Sequence, residues 1–462
     1  MSTALTKTLS NWRPSRHHAA ILGAGGVLLV LSLVVSFETY LLIVLAILAC
    51  LVGLAVISIG QSRPDLGLMA LILACLLAPW GIMLTRRSEL NAGMFVALAL
   101  VALWIGVGIL QRAPFSPLPF RPVYALIAFC CVAVMSFLIG QYPWFPVPPA
   151  SIDAQVAQTA IFLASAGVFF LAAHRIPDVL SLKRMTWLFL AIGGFYVAAM
   201  FIPPLRPWIP IGATGCLLWT WVAALSFSQA LLNRDLRKAL RVLLLLMALT
   251  VVIGGIFLRP SWVSGWLPPL VAMGTVVALL SRRWILLLTL LSIGAVTPWF
   301  WTWVTAVQGT ENYSLLTRLE GWKIVGQIIT VNPLLGVGPA NYRFYAAQYP
   351  ILGWYVPFNS HNNYIDVLAQ TGILGLLFFL WFAFETGRMG WRLRKLKGGF
   401  ERAYVYGTLG GLAASLASGM LGDWILPFLY NIGLMGFRAS ILFWLFTGGL
   451  IALARMQKEN LR

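Results

Sequence analysis

The sequence predicts an all-α polytopic membrane protein with about 12 to 14 transmembrane helices and one large, partly helical loop on the outer side of the membrane. Three observations support this class. Hydrophobic residues make up 60% of the 462 residues and charged residues only 10%, a composition outside the range of soluble globular domains. Apolar runs of about 20 residues, the length that crosses a bilayer as a helix, recur along the chain. Basic residues are divided unequally between the connections of these runs.

The apolar runs define the elements in chain order. About fourteen runs are long enough to span a membrane. They lie near residues 19–37, 39–60, 67–85, 92–110, 122–141, 154–173, 185–203, 209–232, 239–258, 262–281, 284–301, 364–385, 403–421 and 432–454. About eleven of them precede a long polar interval and about three follow it. The chain is therefore predicted to consist of an N-terminal helix bundle (1–301), an outer loop (302–361) and a C-terminal group of helices (362–462).

The distribution of charge predicts the orientation of the chain. The net charge is +19, which by itself would be compatible with a nucleic-acid partner. When the N-terminus is placed in the cytoplasm, however, most of the 32 Lys and Arg residues fall on inner segments, such as the connection 388–402. This bias follows membrane topology and the anionic lipids of the inner leaflet, so we expect membrane lipids and no nucleic acid among the partners. The same topology places the loop 302–361 outside.

The outer loop is predicted to contain a surface helix followed by a tight turn. Between Ser314 and Ile329, apolar residues recur at helical spacing and are interrupted by Arg318 and two further charged residues. This length is too short to cross the bilayer, so we expect an amphipathic helix on the outer surface. The segment Asn332–Pro339 contains two prolines and two glycines, which favour a turn and disfavour helical angles.

A histidine at the end of this loop is the main candidate for chemistry. Of the four histidines, His361 is the one that the predicted topology places outside. A neutral imidazole at the start of a helix, in a partly dry cleft, can take a proton from a hydroxyl group. The alternative is structural: Ser360 or Asn359 caps the following helix, and His361 only forms a hydrogen bond in its first turn.

Arginines at the outer membrane surface are the second group of candidates. Arg259, Arg318 and Arg438 all fall on the predicted outer side. A guanidinium at membrane depth is costly unless it is paired or lies in a wet cavity, and its planar fork suits phosphate oxygens. The alternative for each arginine is that its side chain extends to lipid headgroups.

Acidic residues on the outer side are few, and their spacing does not suggest a metal site. Asp423 is a candidate for pairing with an arginine or for orienting a substrate hydroxyl group. Asp366 is expected to point away from His361 around the helix. The glycines Gly372 and Gly375 are expected to allow close packing in a membrane helix rather than to take part in chemistry.

Taken together, these residues resemble the O-antigen ligase and polymerase superfamily of membrane glycosyltransferases. The pattern is a histidine followed by an asparagine and then a G-x-x-G, here His361, Asn362, Gly372 and Gly375. Upstream, Arg318 and Trp322 and the turn at 332–338 also look like the outer-loop pattern of the family. The similar stretch runs from residue 318 to residue 375.

The resemblance implies a GT-C-like fold in the bacterial inner membrane, with the loop and the active site facing the periplasm. It implies transfer of a glycan from an undecaprenyl-diphosphate-linked donor to an acceptor hydroxyl on a lipid A core sugar or a growing polysaccharide. His361 is then the base, and the diphosphate is bound by Arg318 and Arg259, with Arg438 as a third candidate. Asn362 and Asp423 have supporting roles, and no metal or cofactor is expected.

Two other functions are compatible with the same residues. A protein O-oligosaccharyltransferase uses the same chemistry on a protein acceptor. A flippase or transporter for lipid-linked sugars would use the arginines to hold a diphosphate without covalent chemistry. The unequal groups of helices show no internal repeat of the kind that many secondary transporters have, and a purely structural membrane protein is the remaining alternative.

Overall fold

The structure is a computed structural model, and it describes residues 65–79, 81–85, 88–110, 117–281, 283, 313–397 and 399–459. The predicted spans near 19–37, 39–60 and 284–301 lie outside these residues. The described helices and strands are α1 (Asp65–Leu77), β1 (Gly81–Thr85), β2 (Ser88–Asn91), α2 (Ala92–Leu110), α3 (Arg121–Ile139), α4 (Ile152–Arg175), α5 (Val179–Phe201), α6 (Cys216–Leu232), α7 (Lys238–Leu258), α8 (Val263–Leu280), α9 (Tyr313–Ile329), α10 (Tyr342–Ala346), α11 (Asn363–Leu393), α12 (Gly399–Gly419) and α13 (Phe437–Glu459). Short 3-10 helices lie at Pro203–Trp208 and Leu434–Gly436.

The helical, polytopic class is confirmed. Eight helices in the described part of the chain are long and apolar enough to cross a membrane. They are α2, α3, α4, α5, α7, α8, α11 and α13, while α1 and α6 are shorter apolar helices. The total of 12 to 14 spans stays a prediction. The helix expected between Ser314 and Ile329 is observed as α9.

One predicted span is wrong. The run 67–85 is an apolar helix only as far as Leu77, and an antiparallel hairpin of β1 and β2 follows it. Pro79 explains the early end of the helix, because a proline disfavours helical angles in the residue before it. In a hydropathy pattern, a helix followed directly by the apolar strand β1 looks like one continuous span.

The core of the bundle forms around α13. Its most apolar window is completely buried, and it packs against α4, α6 and α12. Aromatic rings fill the contacts: Trp444 stacks on Phe382 of α11 with 5.5 Å between ring centroids, and Phe446 lies 5.1 Å from Trp221 of α6. A helix that is apolar on all sides is expected in such a central position.

The long helix α11 is broken at Gly372, and the outer loop inserts at the break. Gly372 has φ 67° and ψ −171°, which are not helical angles. The turn 332–338 is hydrogen-bonded to both sides of this break. The amide of Val337 donates to Ala369 O (2.9 Å), and the amide of Ile373 donates to Pro333 O (2.8 Å). A Cβ on Gly372 would lie 2.2 Å from Leu334 O. This glycine therefore does have a packing role, but its partner is loop backbone rather than another helix.

Candidate functional site

His361 lies at the start of α11 in a left-handed backbone conformation, with φ 50°. The next residue, Asn362, caps the helix: its side-chain oxygen accepts from the amides of Tyr364 (3.0 Å) and Ile365 (3.3 Å). The structural alternative in which Ser360 or Asn359 provides the cap is thus wrong. Because Asn362 satisfies the first amides of the helix, the histidine ring is left for other contacts.

A buried network holds the residue before His361. The hydroxyl of Ser360 lies 2.7 Å from Oδ1 of Asp366 and the amide of Ser360 donates to the hydroxyl of Tyr342 (3.1 Å). Tyr342 in turn donates to Oδ1 of Asp366, and the Asp366 residue is only 2% exposed. Asp366 was expected to point away from His361 around the helix, and its carboxylate accepts hydrogen bonds from Ser360 and Tyr342. It does not contact the ring, but it fixes the adjoining turn from below.

The imidazole of His361 is linked to Asp423 through one amide group. Nδ2 of Asn431 lies 3.1 Å from Nδ1 of His361 and also donates to Oδ1 of Asp423. The other carboxylate oxygen of Asp423 accepts from the amide of Phe428 (2.7 Å). Burial raises the pKa of Asp423 to about 6, against the lowering effect of these hydrogen bonds, so the group is mainly ionised at pH 7.

Two arginines lie near the imidazole. The pKa of His361 is lowered from its ordinary value, first by partial burial and then by the positive charges of Arg318 and Arg343. Burial also lowers the pKa of Arg318, which nevertheless remains charged because a guanidinium is protonated at every ordinary pH. The imidazole is thus neutral at pH 7 and sits beside fixed cations. This is the arrangement that a base next to an anionic leaving group requires.

The sequence analysis did not identify Arg343. It lies in α10, and its guanidinium donates to Oδ1 of Asn359 and lies over the ring of Tyr430, 5.4 Å from the centroid. The side-chain nitrogen Nδ2 of Asn359 also donates to Tyr430 O (3.1 Å). Arg343 therefore joins three pieces of the site: α10, the turn before His361 and the segment 420–433. The feature of the sequence that could have indicated Arg343 is its position as a cation within the aromatic run of the outer loop.

A hydrogen bond of Trp322 positions α9, and with it Arg318, beside the histidine turn. The indole nitrogen of Trp322 donates to Ser360 O at 2.7 Å. Beside it, Gly321 packs under the ring of Phe358, where a Cβ would lie 2.0 Å from the nearest ring atom. Residues four apart lie on the same face of a helix, so Arg318 shares the face that Trp322 presents to the histidine turn.

The remaining candidates lie elsewhere. Arg259 is exposed just after α7, and its nearest link to the site is Trp262, whose ring is 6.3 Å from that of Trp424, next to Asp423. Arg438 is 1% exposed and donates to the carbonyl oxygens of Cys75 (3.3 Å) and Ala78. It thus satisfies carbonyl groups at the C-terminal end of α1, groups that a helix leaves unpaired.

The described part of the chain contains no group of three or more His, Cys, Asp or Glu side chains that could hold a metal ion. The assembled site is therefore a neutral histidine, two arginines and a buried carboxylate linked to the histidine through an asparagine.

Asn431 was also missed by the sequence analysis, because it lies in an irregular segment far along the chain. It is the exposed member of this group.

Comparison with known proteins gives one match. Residues 236–380 match the family model described as O-Antigen ligase, while no curated protein matches the chain. The matched residues include Arg259, Arg318, Arg343 and His361, and they end before Asp423. The match over residues 236–380 supports the resemblance to the O-antigen ligase and polymerase superfamily in this part of the chain.

Proposed function

We propose that this protein transfers a glycan from an undecaprenyl-diphosphate-linked donor to an acceptor hydroxyl group at the outer face of the bacterial inner membrane. The observation that carries the proposal is the neutral His361 with the positive charges of Arg318 and Arg343 near its ring. The family match supports glycan transfer in polysaccharide assembly, with a membrane glycosyltransferase as the enzyme class. Ligase-type or polymerase-type transfer is favoured over transfer to protein, because the matching family model is that of an O-antigen ligase.

In the proposed reaction, the acceptor O–H bond breaks and its proton passes to a ring nitrogen of His361. The acceptor oxygen forms a bond to the anomeric carbon of the donor glycan. The bond between that carbon and the diphosphate oxygen breaks, and its electron pair leaves with the diphosphate. Arg318 and Arg343 stabilise the charge that develops there, which is the largest single source of catalysis in many enzymes. The proposal assigns no step to a metal.

Asn431 determines which ring nitrogen is available. An ionised carboxylate only accepts hydrogen bonds, so the amide nitrogen of Asn431 faces Asp423 and donates its second hydrogen to Nδ1 of His361. The ring proton is then on Nε2 in the resting state. For the base to act, either the acceptor hydroxyl displaces Asn431 at Nδ1, or Asp423 is protonated and the amide turns over, which frees Nε2.

The positions of the other predicted residues refine the proposal. Arg318 and Arg343 are the proposed diphosphate ligands, and Arg259 is retained as a ligand on a neighbouring connection. Arg438 is reassigned to holding α13 against α1. Asn362 supports the site by capping α11, and Asp423 by holding Asn431. Exposed aromatic residues of the outer loop, Trp354 (68%) and Tyr355 (67%), offer flat faces on which sugar rings can stack.

The deciding experiment uses purified full-length protein in lipid nanodiscs, with an undecaprenyl-diphosphate-linked oligosaccharide and a hydroxyl acceptor. We expect covalent glycan transfer by the native protein, and a loss of at least about a hundredfold in His361→Ala and Arg318→Ala. Lys323→Ala is the matched control, because Lys323 is an exposed cation on the same helix as Arg318. Movement of the donor across the membrane without a covalent product would contradict the proposal and favour the flippase.

A further inference from the structure

A basic cavity lies at the opposite end of α11 from His361. It has a volume of about 340 Å³ and is lined by residues preceding and beginning α3 and by the last turns of α11. The helices α3 and α11 pack against each other. Ser136, near the end of α3, contacts Leu335 O at 2.7 Å beside the helix break, whereas Arg121, at the start of α3, contacts Glu385. The two helices are thus antiparallel, and the cavity lies roughly 40 Å from the histidine at 1.5 Å per residue.

The charges around this cavity are not balanced. The carboxylate of Glu385, 5% exposed, is paired with Arg388 at 2.8 Å and with Arg121 at 3.5 Å. Arg392 also lines the cavity and has no ion pair within the described residues. Three guanidinium groups therefore share one carboxylate, which leaves two positive charges in excess. Lys458 adds a further cation nearby, 5.9 Å from the ring of Phe120.

The walls of the cavity are partly apolar. Pro119, Phe120 and Met389 line it together with the arginines. Trp391, one residue before Arg392, is 50% exposed, and exposed tryptophans mark the membrane interface. A cavity with excess guanidinium charge on one side and apolar groups on the other suits a phosphate that is attached to an apolar group, rather than a free phosphate ion.

We propose that this cavity binds the phosphate headgroup of an anionic phospholipid, at the membrane surface opposite the transfer site. The two arginines Arg121 and Arg392 contribute charge directly to the headgroup. Glu385 holds Arg388 in place and reduces the net positive charge of the cavity. The cavity is large enough for a phosphate with its glycerol, since its volume corresponds to on the order of ten water molecules.

The test measures phospholipid binding to delipidated full-length protein by native mass spectrometry, with phosphatidylglycerol compared with phosphatidylcholine. We expect tighter binding of phosphatidylglycerol, and a loss of about fivefold for each of Arg121→Gln and Arg392→Gln, as each arginine contributes to attraction of anionic lipid. Glu385→Gln is expected to tighten binding, because it removes the opposing charge. If that variant does not fold, the two arginine variants decide.

The matched control is the double variant Arg237→Gln, Lys238→Gln, which removes two exposed cations near the start of α7. It is expected to leave phosphatidylglycerol binding unchanged. The proposal is overturned if the control reduces binding as much as the cavity variants, or if the two phospholipids bind equally. It is also overturned if inorganic phosphate alone binds in the cavity while anionic lipid shows no preference for it.

Discussion

The backbone of His361 is strained in a way that serves the site. Within the described residues, it is one of three non-glycine residues with a positive φ, and such a conformation costs about 1 to 3 kcal/mol, which the surrounding contacts must offset. The cap by Asn362 and the Ser360 network supply that constraint. Residues with strained backbone angles are common at functional sites, because the strained conformation fixes the direction of a side chain.

Replacement of His361 by glycine and by alanine tests the strain. Both variants lose the imidazole and should lose transfer activity. Glycine adopts a positive φ without a steric penalty, so His361→Gly should be more stable than His361→Ala by about 1 kcal/mol. Thermal unfolding of the two variants in the same detergent measures the difference. A more stable alanine variant would contradict the left-handed conformation.

The pKa of His361 predicts the acid limb of the pH profile. Nearby cations and burial disfavour the imidazolium, so its pKa is below the ordinary value and the base is neutral at pH 7. Activity should fall as pH decreases through this lowered pKa, because the imidazolium cannot accept the proton of the acceptor hydroxyl. Removing a cation in Arg343→Ala should raise the pKa of His361 and shift the acid limb to higher pH.

The shift is read from kcat/KM against pH, with each profile scaled to its own plateau. This scaling separates a change in pKa from a loss of diphosphate binding. Lys323→Ala is the control and should leave the acid limb where it is. An acid limb that stays in place in Arg343→Ala would mean that the charge of Arg343 does not act on His361.

The tautomer of His361 is a separate prediction about the same residue. Because Asn431 donates to Nδ1, the resting ring should carry its proton on Nε2. The chemical shifts of the ring nitrogens in protein with ¹⁵N-labelled histidine measure this directly, and His361→Gln identifies the signal among the four histidines. Asn431→Ala should lower kcat and abolish the tautomer preference. A resting Nδ1–H tautomer in the native protein would reject the assigned role of Asn431.

At the element scale, the break in α11 determines where His361 lies. The first part of the helix carries the site, and the second part continues through the membrane as a packed span. Between them, the turn 332–338 is joined to the backbone at the break, so the outer loop and the helix hold each other in register. The glycine at the break has both a positive φ and no room for a side chain.

Two glycines of α11 form a matched pair for testing the break. Gly372→Ala places a Cβ 2.2 Å from Leu334 O at φ 67°, so it should lower the free energy of unfolding by about 3 kcal/mol or more. Gly387→Ala lies in regular helix, where the nearest atom is an ordinary 3.6 Å away, and it should be neutral or stabilising by up to about 1 kcal/mol. Thermal unfolding and transfer activity are measured for both. Similar stabilities would contradict the role of the break.

For the whole molecule, the two ends of α11 have different proposed roles. One end holds the proposed transfer site under the outer loop, and the other end is basic, as expected of the inner surface. The orientation itself follows from the charge distribution and is testable by labelling. In a cysteine-free background, Tyr355→Cys should react with a membrane-impermeant maleimide only from outside, and Lys395→Cys only from inside.

Intact and lysed spheroplasts distinguish the two sides in this experiment. Both positions are exposed, so neither should fail to react because of burial. Reaction of Lys395→Cys in intact spheroplasts would reverse the orientation and remove the donor lipid from the proposed site. Failure of Tyr355→Cys to react in intact spheroplasts, with reaction only after lysis, would contradict the assignment of the loop to the outer face.

The sequence by itself determined the class of the protein and most of its helices, and it supplied the two main candidates for the proposed site. Hydropathy and the spacing of apolar residues are local properties, so they identified α2 to α5, α7, α8 and α9 closely. The hairpin after α1 was missed because its first strand, β1, is apolar as well. His361 and Arg318 were chosen as candidates because topology and local pattern single them out among few polar residues.

Only the tertiary structure decided which other residues join them. Arg343, Asn431 and Asp366 reach the site through folding of segments that are distant in sequence or on the far side of a helix. Arg438 and Arg318 were both predicted on the outer side as diphosphate ligands, but Arg438 is buried against α1. Spacing along a chain predicts what lies on one helix face, whereas contacts between elements depend on how the loop docks in the broken helix α11 and how the bundle packs around α13.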